Sequence, residues 1–388
     1  MMRIEKSGRI RELPPYLFAQ IDKIKEEQVA KGVDVIDLTI GDPDLPTFPG
    51  IVAHMEKAIH NPKNHRYPSY AGMRELRLAV AQWYRDRFTV ALDPETEVII
   101  LIGSKEGIAH LPLAFIDPGD IGLVPDPGYP VYKTSILFAG GTPHLLPLIK
   151  ENQYLPDLEL VPNDVLQKSK LLFLNYPNNP TAAIANRDFL ERAISFCRRH
   201  DIILCHDAAY SEIYFKEKPV GLFELGGAKE VGIEFHSLSK TFNMTGWRLG
   251  FAVGNSEVIA GLGQVKTNID SGVFQAVQEA GIFALRTESR TTQELRDIYK
   301  ERRDIIIAGL AKMGLDVDPP RASFYVWAPV PPGYTSLDFT TFLLNKTAVL
   351  TTPGNGFGPS GEGYIRISLT DSTDRIKEAA NRLSNVSI

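Results

Sequence analysis

The stretch Ile233-Glu-Phe-His-Ser-Leu-Ser-Lys-Thr-Phe-Asn-Met-Thr-Gly-Trp-Arg-Leu-Gly250 runs from a short strand-like segment into a polar turn carrying Lys240 and Arg248. Residues 233–237 have the length and β-forming composition of a buried strand, and 250–254 have it again. Working outward, similar runs fall at 98–102, 121–124, 144–148, 171–175 and 202–206. They are apolar almost throughout, as expected of strands covered on both faces of a largely parallel sheet. Helical periodicity lies between several of them, at 105–116 and 187–200. The pattern predicts an α/β fold, a seven-stranded, mostly parallel sheet between helices.

The flanks differ. Residues 72–88 read as a helix with Met73, Leu76, Val80, Trp83 and Tyr84 on one apolar face. A long helix over 291–313 precedes short strands at 324–328, 349–352 and 364–368 and a terminal helix at 373–385. We read a large domain over 47–289 and a smaller α+β domain from 290–388, joined by an arm and partial domain at 1–46. The chain's 388 residues suit more than one domain.

Composition narrows the function. With 42 Lys+Arg against 47 Asp+Glu, the chain has no basic excess to suggest nucleic acid or an anionic membrane. Two cysteines, Cys197 and Cys205, exclude a disulfide framework and fit a reducing compartment. No apolar signal core or membrane-length run is visible. The expectation is a cytoplasmic protein.

Three segments carry chemistry. Lys240 follows a buried strand, and a poorly hydrated lysine loses its proton readily, so it can attack an aldehyde and form a Schiff base. Ser237 and Arg248 offer a hydroxyl and a guanidinium fork suited to phosphate. Leu172-Phe-Leu-Asn-Tyr-Pro-Asn-Asn-Pro-Thr181 and Ile202-Ile-Leu-Cys-His-Asp-Ala-Ala-Tyr210 each end an apolar run in polar residues. Those ends fall at the carboxyl edge of the sheet, where open α/β folds bind ligands. Taken singly, Asp207 reads as a helix cap and Asn179 as a turn residue.

Together, Asn179-Pro-Thr181, Asp207-Ala-Ala-Tyr210, Ser237-x-x-Lys240 and Gly246-Trp-Arg248 resemble the fold-type I pyridoxal-phosphate aminotransferases of class I/II. The resemblance runs from Leu38 to Ser368. It implies that Lys240 binds the pyridoxal 5'-phosphate aldehyde and moves the substrate's proton, and that Asp207 pairs with the pyridinium nitrogen. Asn179 and Tyr210 would bond the ring's phenolic oxygen, and Tyr129 would stack on the ring. Ser237, Arg248 and the amides of Ser104 and Lys105 would hold the phosphate. Tyr67 would reach the phosphate of a neighbouring subunit, which implies a homodimer. Arg366 would clamp the substrate carboxylate, with the backbone of Gly41 beside it.

Several stretches look closer to the LL-diaminopimelate aminotransferases than to enzymes for aspartate, alanine or aromatic acids. They include Leu13-Pro-Pro-Tyr-Leu-Phe18, Ile102-Gly-Ser-Lys-Glu-Gly107 and Asp270-Ser-Gly-Val-Phe-Gln275. This likeness implies substrate contacts from Tyr16, Lys105 and a partner's residue equivalent to Asn268, and amino exchange with glutamate and 2-oxoglutarate. One position departs: Tyr70 stands where the better-known branch carries a glutamate for the distal ammonium. A phenol can meet an ammonium through its oxygen or its ring face, without a full charge. The alternatives are an aminotransferase for aspartate, alanine or aromatic acids, a lyase on the same fold, and a cofactor-binding regulator, for which no DNA-binding segment is seen. Cys197, His200, Cys205 and His206 do not converge as metal ligands in this reading. Residues 290–303 read as a solvated charged face.

Overall fold

A computed structural model describes residues 4–11, 13, 18–287, 289–386 and 388. After a short strand β1 (Ile36–Asp37) come β2 (Val98–Leu101), β3 (Ile121–Asp126), β4 (Thr142–Pro147) and β5 (Ser169–Asn175). β6 (Ile203–Asp207), β7 (Gly232–Ser237) and β8 (Gly250–Gly254) complete the central sheet. Its spatial order is β2-β8-β7-β6-β5-β3-β4. Neighbours are parallel except where β8 is involved.

Helices cover both faces, which is why the strand sequences are apolar rather than alternating. On one face Tyr84 and Phe88 of the helix Arg74–Phe88 pack with Leu204 and Phe251. On the other, Ile108 and Leu111 of the helix Ser104–Phe115 join Tyr132, Phe173, Cys205 and Phe235. The helix Arg187–Arg199 shows how local sequence sets its ends. Asn186 caps it by accepting the Phe189 amide at 2.8 Å, arginines occupy its last turn, and Phe189, Ala193 and Cys197 are buried.

The parallel strands β5, β6 and β7 end together at Asn175, Asp207 and Ser237. Asn175 and Asp207 are register partners. The three polar segments singled out in the sequence therefore share one edge of the sheet.

A second, antiparallel sheet has the order β11-β12-β9, formed by β9 (Tyr325–Pro329), β11 (Thr352–Pro353) and β12 (Tyr364–Ser368). The stretch 349–352 reads as one strand but divides. β10 (Val349–Leu350) pairs in parallel with β1, whereas β11 pairs with β12. Thr351 lies buried between them.

The charged segment 290–303 is not wholly a solvated face. Arg302 is buried, and its fork donates to both carboxylate oxygens of Asp44 at 2.6 and 2.9 Å, with a further bond to Leu369 O at 3.0 Å. Sequence periodicity cannot see a carboxylate delivered from 258 residues away. Among the described residues no helix is long and apolar enough to cross a membrane.

Candidate active site

Lys240 lies in the short helix Leu238–Thr241, directly after β7. Ser237 caps that helix, its Oγ accepting the Ser239 amide at 3.3 Å. The lysine Nζ donates to Gly41 O at 2.9 Å and lies 5.7 Å from the centre of the Phe324 ring. Burial, helped by the positive charges of Arg248 and Arg366, lowers Lys240 to about 8, while Asp42 and Asp207 act in the opposite direction. The amine is thus available as a nucleophile near neutral pH.

Asp207 ends β6 and is buried. Its Oδ2 accepts the Tyr132 hydroxyl at 2.7 Å and its Oδ1 the Ala209 amide at 3.2 Å. Burial raises its pKa, and those two hydrogen bonds oppose the rise. Asn175 joins this strand end to the next turn. Its Nδ2 donates to Asp207 O at 2.8 Å, and its Oδ1 accepts the Asn179 amide at 2.8 Å.

Arg366 reaches the same place from β12. One terminal nitrogen donates to Asn179 Oδ1 at 2.8 Å and the other to Thr39 O at 2.6 Å. Its guanidinium lies 4.3 Å from the Tyr325 ring centre and 4.6 Å from that of Phe357. Its buried Nε has no partner among the described residues. Tyr210 meets the Tyr325 hydroxyl at 3.2 Å. A Cβ on Gly41 would fall 1.9 Å from that Tyr325 hydroxyl, so only glycine admits this approach of the backbone.

A cradle lies at the amino end of the helix Ser104–Phe115. Gly103 precedes it with φ +71°, and a Cβ there would come within 2.4 Å of Arg248 Nη2. A Cβ on Gly250 would come within 2.6 Å of the Ser104 amide. The two glycines leave room beside a guanidinium and the free amides of a helix start.

The structure thus gathers Gly41, Asn179, Asp207, Tyr210, Lys240 and Arg366 around one edge, with Ser104, Ser237 and Arg248 beside it. Tyr129 is half-buried, its ring edge-on to Tyr132 at 5.7 Å. Lys105, Tyr67 and Asn268 are exposed, and Asn268 Nδ2 donates to Gln264 O at 2.8 Å. Tyr16 lies outside the described residues. Sequence reasoning missed Tyr132, Tyr325, Asn175 and Thr39 as site residues. The one available signal was Tyr132, a single helical turn beyond Tyr129. Cys197 and Cys205 are buried free thiols, and His206 bonds instead to Glu234. Glu106, His110 and Asp270 also converge, but Lys266 supplies their cation, bonding Glu106 at 3.2 Å and Asp270 at 2.7 Å.

These residues fit pyridoxal phosphate. Asp207 is a buried carboxylate whose side-chain oxygens accept only neutral donors among the described residues, so it retains the capacity to pair with a ring N–H⁺. The cradle of Gly103, Ser104, Ser237 and Arg248 offers donors for a phosphate. Lys240, three residues after Ser237 and eight before Arg248, presents an amine of lowered basicity.

The family model "Aminotransferase class I and II" matches residues 33–383. The LL-diaminopimelate aminotransferase of Syntrophobacter fumaroxidans is 56% identical over 387 residues, with all of both chains covered. The enzyme of that name from Aquifex aeolicus is 54% identical, covering 99% of this chain and 100% of its own. The apo structure of BacF from Bacillus subtilis superposes with a TM-score of 0.95 at 40% identity, covering 100% of this chain and 99% of that one. With its sheet, its lysine and its strand-edge carboxylate in this arrangement, the chain belongs to the class I and II aminotransferases, which act through pyridoxal phosphate.

Proposed function

We propose that the chain interconverts tetrahydrodipicolinate plus L-glutamate and LL-2,6-diaminopimelate plus 2-oxoglutarate, water being taken up as the cyclic imine opens, in lysine biosynthesis. The observation that carries this reading is the likeness, at more than half of all positions and over full length, to several enzymes named for that reaction.

Bound cofactor supplies an electron sink for the charge left on the substrate's Cα. Lys240 would hold the cofactor, and its amine, when free, would carry the proton to and from Cα. Asp207, braced by Tyr132, keeps a proton on the ring nitrogen. Asn179 and Tyr210 donate to the ring oxygen, and Tyr129 covers the ring face. Ser237, Arg248 and the amides of Ser104 and Lys105 bind the phosphate. Arg366 orients the substrate carboxylate, with Gly41 beside it.

The reading includes a cytoplasmic homodimer in which Tyr67 and Asn268 complete the neighbour's site, with Tyr16 and Lys105 near the substrate's far end. Supporting it, Tyr67 is 87% exposed and Tyr70 47% exposed. Their loop abuts the segment of Ile269 and Phe274, which are also exposed, through contacts of Gln275 with Lys63 O and Arg66 O at 3.2 Å. An apolar rim of this kind suits a partner surface.

The test is glutamate production from 2-oxoglutarate with a series of amino donors. LL-diaminopimelate is expected to be the preferred donor. Faster reaction with aspartate, alanine or an aromatic acid would favour the alternative that Tyr70 leaves open.

A further inference from the structure

Behind the cofactor edge, four buried polar side chains meet that no step above uses. Glu234 Oε2 accepts from His206 Nδ1 at 2.7 Å and from the Leu222 amide at 3.1 Å. Its Oε1 accepts from His236 Nε2 at 2.9 Å and from the Tyr84 hydroxyl, which also lies 2.6 Å from His236 Nε2. Four donors saturate the carboxylate. Burial pushes Glu234 towards its neutral form, but the bonds from His206 and His236 prevail and hold it well below the usual carboxylate range.

Strand geometry ties this cluster to the site. Successive side chains on a strand point to opposite faces. His206 therefore faces away from its neighbour Asp207, and His236 away from its neighbour Ser237. Glu234 is the register partner of His206 and shares a face with His236 two residues on. One carboxylate thus grips both strand ends one residue before the groups that address the ring nitrogen and the phosphate. A buried ionic cluster is a poor device for stability alone, because apolar residues of similar volume do as well or better.

We infer that Glu234, with His206, His236 and Tyr84, is a positioning cluster that aims Asp207 at the cofactor's ring nitrogen. The inference rests on the proposed pairing of Asp207 with that nitrogen. His206 carries the effect through a single peptide link, and Tyr84 fixes Glu234 from the helix Arg74–Phe88.

The test is absorbance titration of the apo-enzyme with pyridoxal phosphate and with its deaza analogue, in which a C–H replaces the ring nitrogen. The unaltered protein is expected to prefer pyridoxal phosphate. Glu234→Gln is expected to weaken pyridoxal phosphate about tenfold, the scale of a lost bond to a charged group, while barely changing the analogue. Tyr84→Phe, which removes one hydroxyl and keeps the carboxylate, is expected to shift the preference the same way by less, and it decides the matter if Glu234→Gln does not fold. Equal weakening of both ligands, or an unchanged preference in either folded variant, overturns the inference. Asp207→Asn separates the two claims. If it abolishes the preference while Glu234→Gln keeps it, only the positioning role falls. If it keeps the preference, the pairing of Asp207 falls as well.

Discussion

The Tyr132 hydroxyl donates to Asp207 Oδ2 at 2.7 Å, so a phenol from the helix Val131–Ala139 braces a carboxylate at the end of β6. Both residues are buried, and the bond counteracts the rise that burial imposes on Asp207. Tyr132→Phe leaves Asp207 Oδ2 without that donor and less able to hold a proton on the ring nitrogen. We expect turnover to fall about tenfold and stability by about 1–3 kcal/mol. Steady-state kinetics and denaturant unfolding of the same preparation check both.

Gly41→Ala would place a Cβ 1.9 Å from the Tyr325 hydroxyl. Tyr325 cannot yield without leaving Tyr210 and the face of Arg366. The variant is expected to lose about 1–3 kcal/mol of stability and to raise the substrate KM more than it lowers kcat. An unchanged KM would show that the loop does not shape the carboxylate subsite.

Capture of cofactor by the apo-enzyme should follow the protonation of Lys240. Its ammonium form prevails below a pKa of about 8 and the nucleophilic neutral amine above it. The rate of cofactor incorporation should therefore rise with pH and level off above about 8, after correction for the cofactor's own titration. Stopped-flow absorbance across pH 6–10 would show it, roughly spanning the range over which the amine loses its proton. Lys240→Ala should form no reducible covalent link at any pH.

Arg302 ties the helix Ser289–Met313 to the loop of Gly41 through its paired bonds to Asp44. Arg302→Met strands Asp44 at the edge of the interior and frees the loop. Asp44 keeps part of its surface in water, so about 1–3 kcal/mol of stability should go, the scale of lost bonds to a charged group, and Arg302→Lys should restore only part, because an ammonium cannot make the paired contact. Thermal unfolding of the three proteins measures this.

Much of the site was legible because each motif couples a strand end to a turn of unusual composition. Asn179, Asp207 and Lys240 lie at or just beyond the ends of short apolar runs, and where those runs stop fixes where the carboxyl edge lies. Arg366 gained weight only from its resemblance, since a lone arginine on a strand carries no local signal. Tyr325 was not legible, and Tyr132 was marked only by its place one turn beyond Tyr129, because a functional phenol and a core one look alike locally. The partners of Tyr132 and Tyr325 lie 75 and 115 residues away in sequence. The division of residues 349–353 between two sheets was hidden for the same reason, as strand partners are long-range choices. Arg302 misled because charge alone suggests solvent, and its burial depends on a loop far off in the chain.

The most direct measurement is a single half-reaction. Enzyme carrying bound cofactor is mixed with LL-diaminopimelate, without a 2-oxo acid, and the cofactor's visible band is followed as it converts to the pyridoxamine form. The account predicts rapid bleaching with the LL isomer and little with the meso isomer, aspartate or alanine. An unchanged spectrum with LL-diaminopimelate, alongside bleaching by another amino acid, would contradict the proposed substrate.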